Sequence, residues 1–412
     1  MWYIVFLFVI GLNVWFNYYI DKRAGYPPFL YSLVWFIVVF FHFMCITFNL
    51  ILIYELSFLS LLIFSIGVTV FTLGGLLIKL NFNVKSHSLQ EEFYFEIKKK
   101  IDVILITISI IFLPIFLVKS YQLAVEYMIQ ESLYTGLRIA LVEDQDIGIS
   151  KFGIIVAYLS FFIQCYQYVN KKDNKFKLFI SSLILIVYCV FTTGRTFFII
   201  YLCLIFGILI IFKKLRKKYL FYGIISVLLI FISIGILLKK GGSTDKNLEE
   251  NISGLFESFI IYFIGGLSAF DSFIHSNYIN TYGENSFRFF NSALYKMGVV
   301  ENKPISLIDN YTSIPFDTNV YTIYKIYFQD FGLFYMIFVV FSMSILHTFF
   351  YLKAIYCRNF FHTFLYSIML YPLFMSFFQE QYFSLLPSWF YMISLIIVIN
   401  FFVKNVNLNP KN

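Results

Sequence analysis

Apolar runs of about the length of a membrane-spanning helix fill most of this sequence. An α-helix needs about 20 predominantly apolar residues to cross the hydrocarbon core of a bilayer. The runs occupy residues 2–20, 29–48, 56–78, 101–118, 152–169, 178–193, 196–212, 220–238, 332–352, 360–378 and 384–403. Hydrophobic residues make up 60% of the chain and charged residues 13%, against about 45–50% and about 25% in soluble domains. The sequence therefore predicts an all-α polytopic membrane protein with about 11 transmembrane helices, which excludes a soluble enzyme, a secreted disulfide scaffold and a disordered binder.

The basic residues predict the orientation of these helices, because Lys and Arg concentrate in the cytoplasmic loops of membrane proteins. If the N-terminus lies outside, 20 of the 31 Lys and Arg residues fall on inner segments and 17 of the 23 Asp and Glu residues on outer segments. We therefore expect a single integral membrane domain over residues 1–412 in the cytoplasmic (inner) membrane, with the N-terminus outside and the C-terminus inside. The net charge of +8 then reflects topology and not binding to nucleic acid.

This orientation leaves one large extracytoplasmic loop, at residues 239–331. Within the loop, Phe259 to Phe270 is apolar but only 12 residues long, and Gly265-Gly266 interrupts it. Since that length is too short to span, we expect an interfacial or re-entrant helix that lies against the membrane. The aromatic stretch Tyr321 to Phe328 suits the same headgroup depth. The loop is predicted to face a lipid-linked substrate on the outer surface.

Three arginines on the outer side are candidates for binding a phosphate group. Arg195 lies between two apolar runs, in the sequence TTGRT at 192–196, where a charge is costly and therefore suggests a function. A guanidinium offers a planar fork of donors that suits phosphate oxygens. Arg138 and Arg288 could each hold a second phosphate or a sugar hydroxyl. Alternatively, Arg195 extends to the outer headgroups, and the other two pair with nearby glutamates at the surface.

Asp271 and His275 form the acid–base pair of the sequence. They are four residues apart, so on a helix they share one face. A carboxylate beside an imidazole raises its basicity, which suits a general base that takes a proton from a hydroxyl. The alternative is a surface pair that stabilises a short helix.

Asp330, Asn319 and Tyr321 place a carboxylate, an amide and a hydroxyl near one predicted membrane edge. Such a set can bind a sugar through hydrogen bonds, although Asp330 can equally cap the helix that follows it. Glu380, after the tenth run, is a further candidate carboxylate.

Other patterns predict no metal or cofactor. Glu143 to Asp146 contains a sequence like the DxD of metal-dependent sugar transferases, but by this topology it lies outside the cell, where nucleotide sugars are absent, and it is interpreted as a solvated acidic turn. The five cysteines form no CxxC and are odd in number, so neither a disulfide framework nor a zinc site is predicted. His42, His347 and His362 lie in apolar runs and are interpreted as hydrogen-bonded interior histidines.

Three of these segments, in this order, resemble the bacterial oligosaccharide repeat-unit polymerases (Wzy type), which build O-antigen, capsule and exopolysaccharide. The segments are the TGRT turn around Arg195, the loop sequence YFIGGLSAFD at 262–271, and NVYT at 319–322 followed by DFG at 330–332. About eleven predicted spans and one long outer loop complete the resemblance.

The resemblance implies a GT-C-like membrane glycosyltransferase that is inverting and metal-independent. A growing glycan on undecaprenyl diphosphate would be attacked at its reducing-end C1 by a hydroxyl of a new lipid-linked repeat unit. Arg195, assisted by Arg138 or Arg288, would stabilise the diphosphate leaving group, and Asp271, His275 or Asp330 would activate the hydroxyl. The implied partners are these two lipid-linked oligosaccharides, membrane lipid, a chain-length regulator and a flippase.

Three other functions compete with this one. An O-antigen ligase shares the outer loop, the arginines and the lipid diphosphate donor, and differs in its acceptor. A lipid-linked oligosaccharide flippase would more often show repeat symmetry and charges near the middle of the membrane, and neither is evident. An intramembrane acyltransferase would rest on the single histidines alone.

Overall fold

The structure is a computed structural model that describes residues 2–82, 93–97, 99–128, 132–142, 148–171, 175–238, 248–306 and 309–407. Its helices are α1 (Trp2–Ile20), α2 (Pro27–Thr47), α3 (Phe58–Asn81), α4 (Lys99–Glu126), α5 (Leu133–Val142), α6 (Phe152–Lys171), α7 (Lys175–Phe191), α8 (Arg195–Ile211), α9 (Lys217–Leu237), α10 (Leu248–His275), α11 (Arg288–Lys296), α12 (Tyr324–Cys357), α13 (Phe360–Phe374) and α14 (Leu386–Asn400). Eight helical segments are long and apolar enough to cross a membrane, by length and composition. The predicted all-α polytopic membrane fold is confirmed.

Short strands accompany the helices. They are β1 (Phe93–Ile97), β2 (Thr312–Ser313), β3 (Asp317–Thr318) and β4 (Val403–Asn407). β1 pairs antiparallel with β4, from Phe93 opposite Asn407 to Ile97 opposite Val403. β2 and β3 form a small antiparallel hairpin.

The chain divides into two compact units, which are described separately. Unit 1 comprises Met1–Asn83, Glu257–Leu352 and Met369–Phe390, and unit 2 comprises Val84–Phe256, Lys353–Ile368 and Tyr391–Asn412. The predicted loop 239–331 therefore contributes residues to both units. The expectation of a single membrane domain stays a prediction.

Buried aromatic rings form much of the core of unit 1. The ring of Tyr31 on α2 stacks on Phe71 of α3 at a centroid distance of 4.0 Å, and Trp35 stacks on Tyr324 of α12 at 4.8 Å. The hydroxyls of Tyr31 and Tyr324 bond to each other at 2.8 Å, which satisfies both in an apolar environment. Gly67 of α3 permits this packing, because a Cβ there would lie 2.3 Å from the Tyr324 hydroxyl oxygen.

Local sequence explains where several helices of unit 1 begin. α2 starts at Pro27-Pro28, and proline suits the first turn because amides there have no intrahelical acceptor. α3 is preceded by Ser57, whose hydroxyl accepts a hydrogen bond from the Ser60 amide at 3.2 Å. α12 breaks at Phe331-Gly332, where Gly332 has φ +77°, a conformation that favours glycine.

The structure corrects the length expected for the apolar segment of the large loop. Phe259 to Phe270 lies inside the 28-residue helix α10, of which Gly254–His275 is long and apolar enough to span a membrane. Ile260, Ile264 and Phe270 are fully buried. The argument that this segment is too short to span is therefore wrong, because the helix continues beyond it on both sides.

Unit 2 contains helices α4 to α9. α4 runs to Glu126, beyond the predicted end of its span at 118, and α5 is a separate helix that begins at Leu133. Tyr121 and Arg138, both in the outer segment after the fourth run, therefore lie on two different helices. Lys177 donates a hydrogen bond to Asp102 at 2.6 Å, and Tyr188 donates one to the Ser109 carbonyl at 3.0 Å, so α7 is attached to α4 at two levels.

Candidate functional site

Arg195 is the first residue of α8, directly after the tight turn that ends α7. Thr193 in this turn has φ +53°, and Gly194 is the N-cap of α8. The Arg195 guanidinium lies over the ring of Phe231 on α9, with its Cζ 3.7 Å from the ring centroid. This contact fixes the guanidinium by a cation–π interaction.

Arg138 and Arg195 are brought together around Tyr134. Burial raises the pKa of Tyr134, and the positive charges of Arg138 and then Arg195 oppose that rise. The Tyr134 hydroxyl donates a hydrogen bond to the Val190 carbonyl at 3.0 Å, which joins α5 to the last turn of α7. Two of the three predicted phosphate-binding arginines therefore share one region of unit 2.

An apolar cavity of about 220 Å³ lies beside these arginines in unit 2. Tyr134 lines it together with residues of the end of α7, the start of α8 and the second half of α9. Phe198, one turn after Arg195 on α8, is among the lining residues.

Asp271 caps the N-terminus of α3 in unit 1. Its Oδ1 accepts hydrogen bonds from the Ser57 amide at 3.0 Å, the Ser57 hydroxyl at 2.5 Å and the Ser60 hydroxyl at 2.6 Å. A carboxylate at a helix N-terminus is also favoured by the helix dipole. The hydrogen bonds to Oδ1 of Asp271 thus attach α10 to the N-terminus of α3.

His275 is oriented by the backbone and not by the Asp271 carboxylate. Its Nδ1 lies 2.8 Å from the Asp271 carbonyl oxygen but 3.9 Å from Asp271 Oδ1. Since a carbonyl can only accept, Nδ1 carries the proton, and Nε2 of the neutral ring is left as the basic nitrogen. The His275 side chain is 53% exposed, so Nε2 is open to a substrate hydroxyl.

Asp330 is fully buried and saturated with donors. Oδ1 accepts from the Thr281 hydroxyl and from the amide and side chain of Asn285, and Oδ2 accepts from the amide and hydroxyl of Ser286. These bonds tie the 281–286 segment to α12, so the alternative of a cap for the following helix is not what the contacts show. Glu380 is similarly buried and accepts from Tyr327 and from residues 382–384.

Lys325 is a functional candidate that sequence reasoning missed. It is the only buried Lys or Arg among the residues whose side chains the structure describes. Its ammonium pairs with Asp309 and lies 4.4 Å from the ring centroid of Tyr321. Burial, and next the charge of Asp309, raise the pKa of Tyr321 to about 12. In the sequence, Lys325 is a single basic residue within the aromatic stretch YTIYKIYF. Hydropathy alone does not distinguish such a buried lysine from a lysine at the surface.

The remaining predicted residues lie elsewhere in unit 1. Arg288 opens α11, and its Nε donates to the Ile305 carbonyl. Asn319 is half-buried just after β3. The structure thus forms two groups: Arg138 and Arg195 in unit 2, and Asp271, His275, Asp330, Arg288, Asn319 and Tyr321 in unit 1.

The interior histidines are hydrogen-bonded as predicted. His42 bonds to Tyr3 and Ser268, His347 to Tyr382, and His362 to Asn359. Glu143 to Asp146, interpreted as an acidic turn, lie outside the described residues.

Comparison with known proteins gives one informative relative. The chain is similar to the O-antigen polymerase of Shigella dysenteriae, with 31% identity over 248 residues. The chain resembles the O-antigen polymerases. The aligned region is 59% of this chain, and it spans 60% of the length of the relative. No family model matches, and no solved structure matches. The predicted resemblance to the Wzy-type polymerases is confirmed by this similarity.

Proposed function

We propose that this protein polymerises lipid-linked oligosaccharide repeat units into an O-antigen, capsular or exopolysaccharide chain. The similarity to an O-antigen polymerase carries the proposal. In the proposed reaction, a hydroxyl of the incoming repeat unit attacks C1 of the growing chain. A C–O bond forms as the bond from C1 to the undecaprenyl diphosphate breaks, with inversion at C1, and the hydroxyl proton passes to a base.

Arg195 and Arg138 are the proposed ligands of the leaving diphosphate. A cation at the N-terminus of a helix is opposed by the helix dipole, so Arg195 is not placed there to stabilise α8. The same dipole and the first amides of α8 attract an anion. Guanidinium groups can neutralise a diphosphate without a metal ion, in keeping with the metal-independent reaction that the resemblance implies.

His275 is the proposed base. Of the three candidates, Asp330 has donors on both oxygens and Asp271 has three on Oδ1, whereas His275 keeps Nε2 as an exposed acceptor. The proposed setting is the outer face of the cytoplasmic membrane, where a flippase would supply the repeat unit and a chain-length regulator would limit the product.

The length profile of surface glycans on a gel tests the proposed function. The strains to compare are a deletion of the gene, the complemented deletion, and complements carrying Arg195→Ala or Arg216→Ala at matched protein level. Arg216 is the control because it is an exposed arginine in the same unit and precedes α9. We expect single repeat units without a ladder from the deletion and from Arg195→Ala, and a normal ladder from Arg216→Ala. Loss of all surface glycan from the deletion would instead identify a ligase or a flippase.

A further inference from the structure

Lys325 and Asp309 form an ion pair that has the properties of an anion-binding site. In this pair, a carboxylate of the protein itself lies where the anion would bind. The Lys325 side chain is only 10% exposed, and its ammonium lies over the faces of Tyr321 at 4.4 Å and Phe273 at 5.7 Å. Burying an ammonium is costly unless it is paired, and an aromatic face supplies part of the compensation. The cation therefore keeps favourable contacts when its carboxylate partner leaves.

Asp309 is the more exposed member of the pair. Its side chain is 26% exposed, and it lies on the connection that follows α11 rather than on a helix. The adjacent backbone is attached at Asn310, whose carbonyl accepts from the Tyr321 hydroxyl at 3.3 Å. Arg288 attaches the same connection at the Ile305 carbonyl. The Asp309 carboxylate can thus move off Lys325 while the flanking backbone stays attached.

We propose that Lys325, framed by Tyr321 and Phe273, binds a phosphate group of a lipid-linked substrate, and that Asp309 occupies this position when the substrate is absent. The inference rests on the proposed function, because polymerisation brings together two lipid diphosphates, one on the donor and one on the acceptor. Arg138 and Arg195 account for one of them. Lys325 provides a cation for the other, in the unit that also holds His275.

Binding of undecaprenyl diphosphate to the purified full-length protein tests this proposal. Titrations use wild type, Lys325→Met, Asp309→Asn and the control Lys296→Met, each alone and with Arg195→Ala, which separates the two phosphate positions. Lys296 lies on α11 and is exposed. Methionine keeps the length of the lysine stem while it removes the charge. Undecaprenol, which lacks phosphate, and inorganic pyrophosphate serve as parallel probes.

We expect Lys325→Met to weaken binding of the lipid diphosphate about tenfold or more, since the variant loses a charged hydrogen-bond donor to the phosphate. Asp309→Asn should tighten binding about tenfold if the carboxylate holds the position about nine-tenths of the time. Undecaprenol should respond to neither variant. A pyrophosphate response that matches the lipid response would show that the phosphate is recognised without its lipid.

Unchanged affinity in both variants, together with lower thermal stability, would overturn the proposal and leave the pair as a structural ion pair. Tighter binding in Lys325→Met would overturn it as well. These outcomes are separate from the glycan ladder, because a strain can show the ladder loss expected of a polymerase while Lys325 has no part in binding.

Discussion

Asp271 and His275 of unit 1 differ in which hydrogen-bond acceptors they leave available to a substrate. Asp271 has committed one oxygen to the N-terminus of α3, whereas His275 directs Nδ1 to a backbone carbonyl and keeps Nε2 exposed. We expect His275→Ala to lower the polymerisation rate by about 100- to 10,000-fold, the usual range for a general base. The measurement is the rate at which the purified protein converts lipid-linked repeat units to polymer.

Asp271→Asn is the matched variant for this experiment. Asparagine keeps one carbonyl oxygen that can accept two of the bonds from Ser57 and Ser60, but it cannot act as a base. We expect it to fold and to retain most of the activity. Loss of activity in Asp271→Asn with normal activity in His275→Ala would assign the base to the carboxylate instead.

Asp330 is a residue whose loss should affect stability more than chemistry. Asp330→Ala would leave the Ser286 amide and hydroxyl and the Asn285 amide without their acceptor in a buried position. Leaving buried donors unsatisfied costs about 1–3 kcal/mol for each group, so we expect a clear fall in the apparent Tm in detergent. Glu284→Ala, an exposed carboxylate in the same segment, should leave the Tm unchanged. Equal Tm values for the two variants would contradict the anchoring role.

At the scale of the helices, the close packing of a side chain against a glycine of another helix contributes to stability. Gly67 of α3 has no room for a Cβ, because Tyr324 of α12 lies against it. We expect Gly67→Ala to destabilise the protein by about 1–3 kcal/mol, the usual cost of overpacking. Gly11→Ala on α1 is the control, since its nearest atom would be 3.4 Å away and alanine favours a helix. Thermal unfolding of both variants, and of Gly67→Ala combined with Tyr324→Ala, measures the coupling. The double variant is compared with Gly67→Ala and with Tyr324→Ala alone, and destabilisations that simply add would argue against this contact as the cause.

Helix prediction from the sequence succeeded where hydropathy is continuous and failed where it is broken. Each of the eleven apolar runs lies largely within a helix, but polar residues at the start of α10 concealed its full length.

The surroundings of the candidate site residues could not be predicted in the same way, because they depend on partners that are distant in the sequence. Asp271 meets Ser57 across 214 positions of the chain, and Lys325 meets Phe273 through folding of the loop. Arg195 stands out in the sequence alone because its charge lies between two apolar runs, and its role in binding stays a prediction.

At the scale of the whole molecule, the membrane topology determines which segments face the outside. The basic residues predict that both ends of α10 lie outside, whereas the length of α10 would also allow it to cross. Single cysteines at Lys246 and Lys296, introduced on either side of the helix, distinguish the two arrangements with a membrane-impermeant maleimide. Background labelling of the native cysteines is expected to be low, because four of the five are buried. The fifth, Cys357, can be replaced by serine.

We expect both positions to be labelled in intact cells, since the excess of basic residues lies in the connections on the opposite, inner side. Arg216→Cys, in the basic run that precedes α9, should be labelled only after the cells are permeabilised. Labelling at only one of Lys246→Cys and Lys296→Cys would mean that α10 crosses the membrane. His275 and Asp271 lie at the C-terminal end of α10, so the same result would decide whether the proposed base faces the side on which lipid-linked glycans are polymerised.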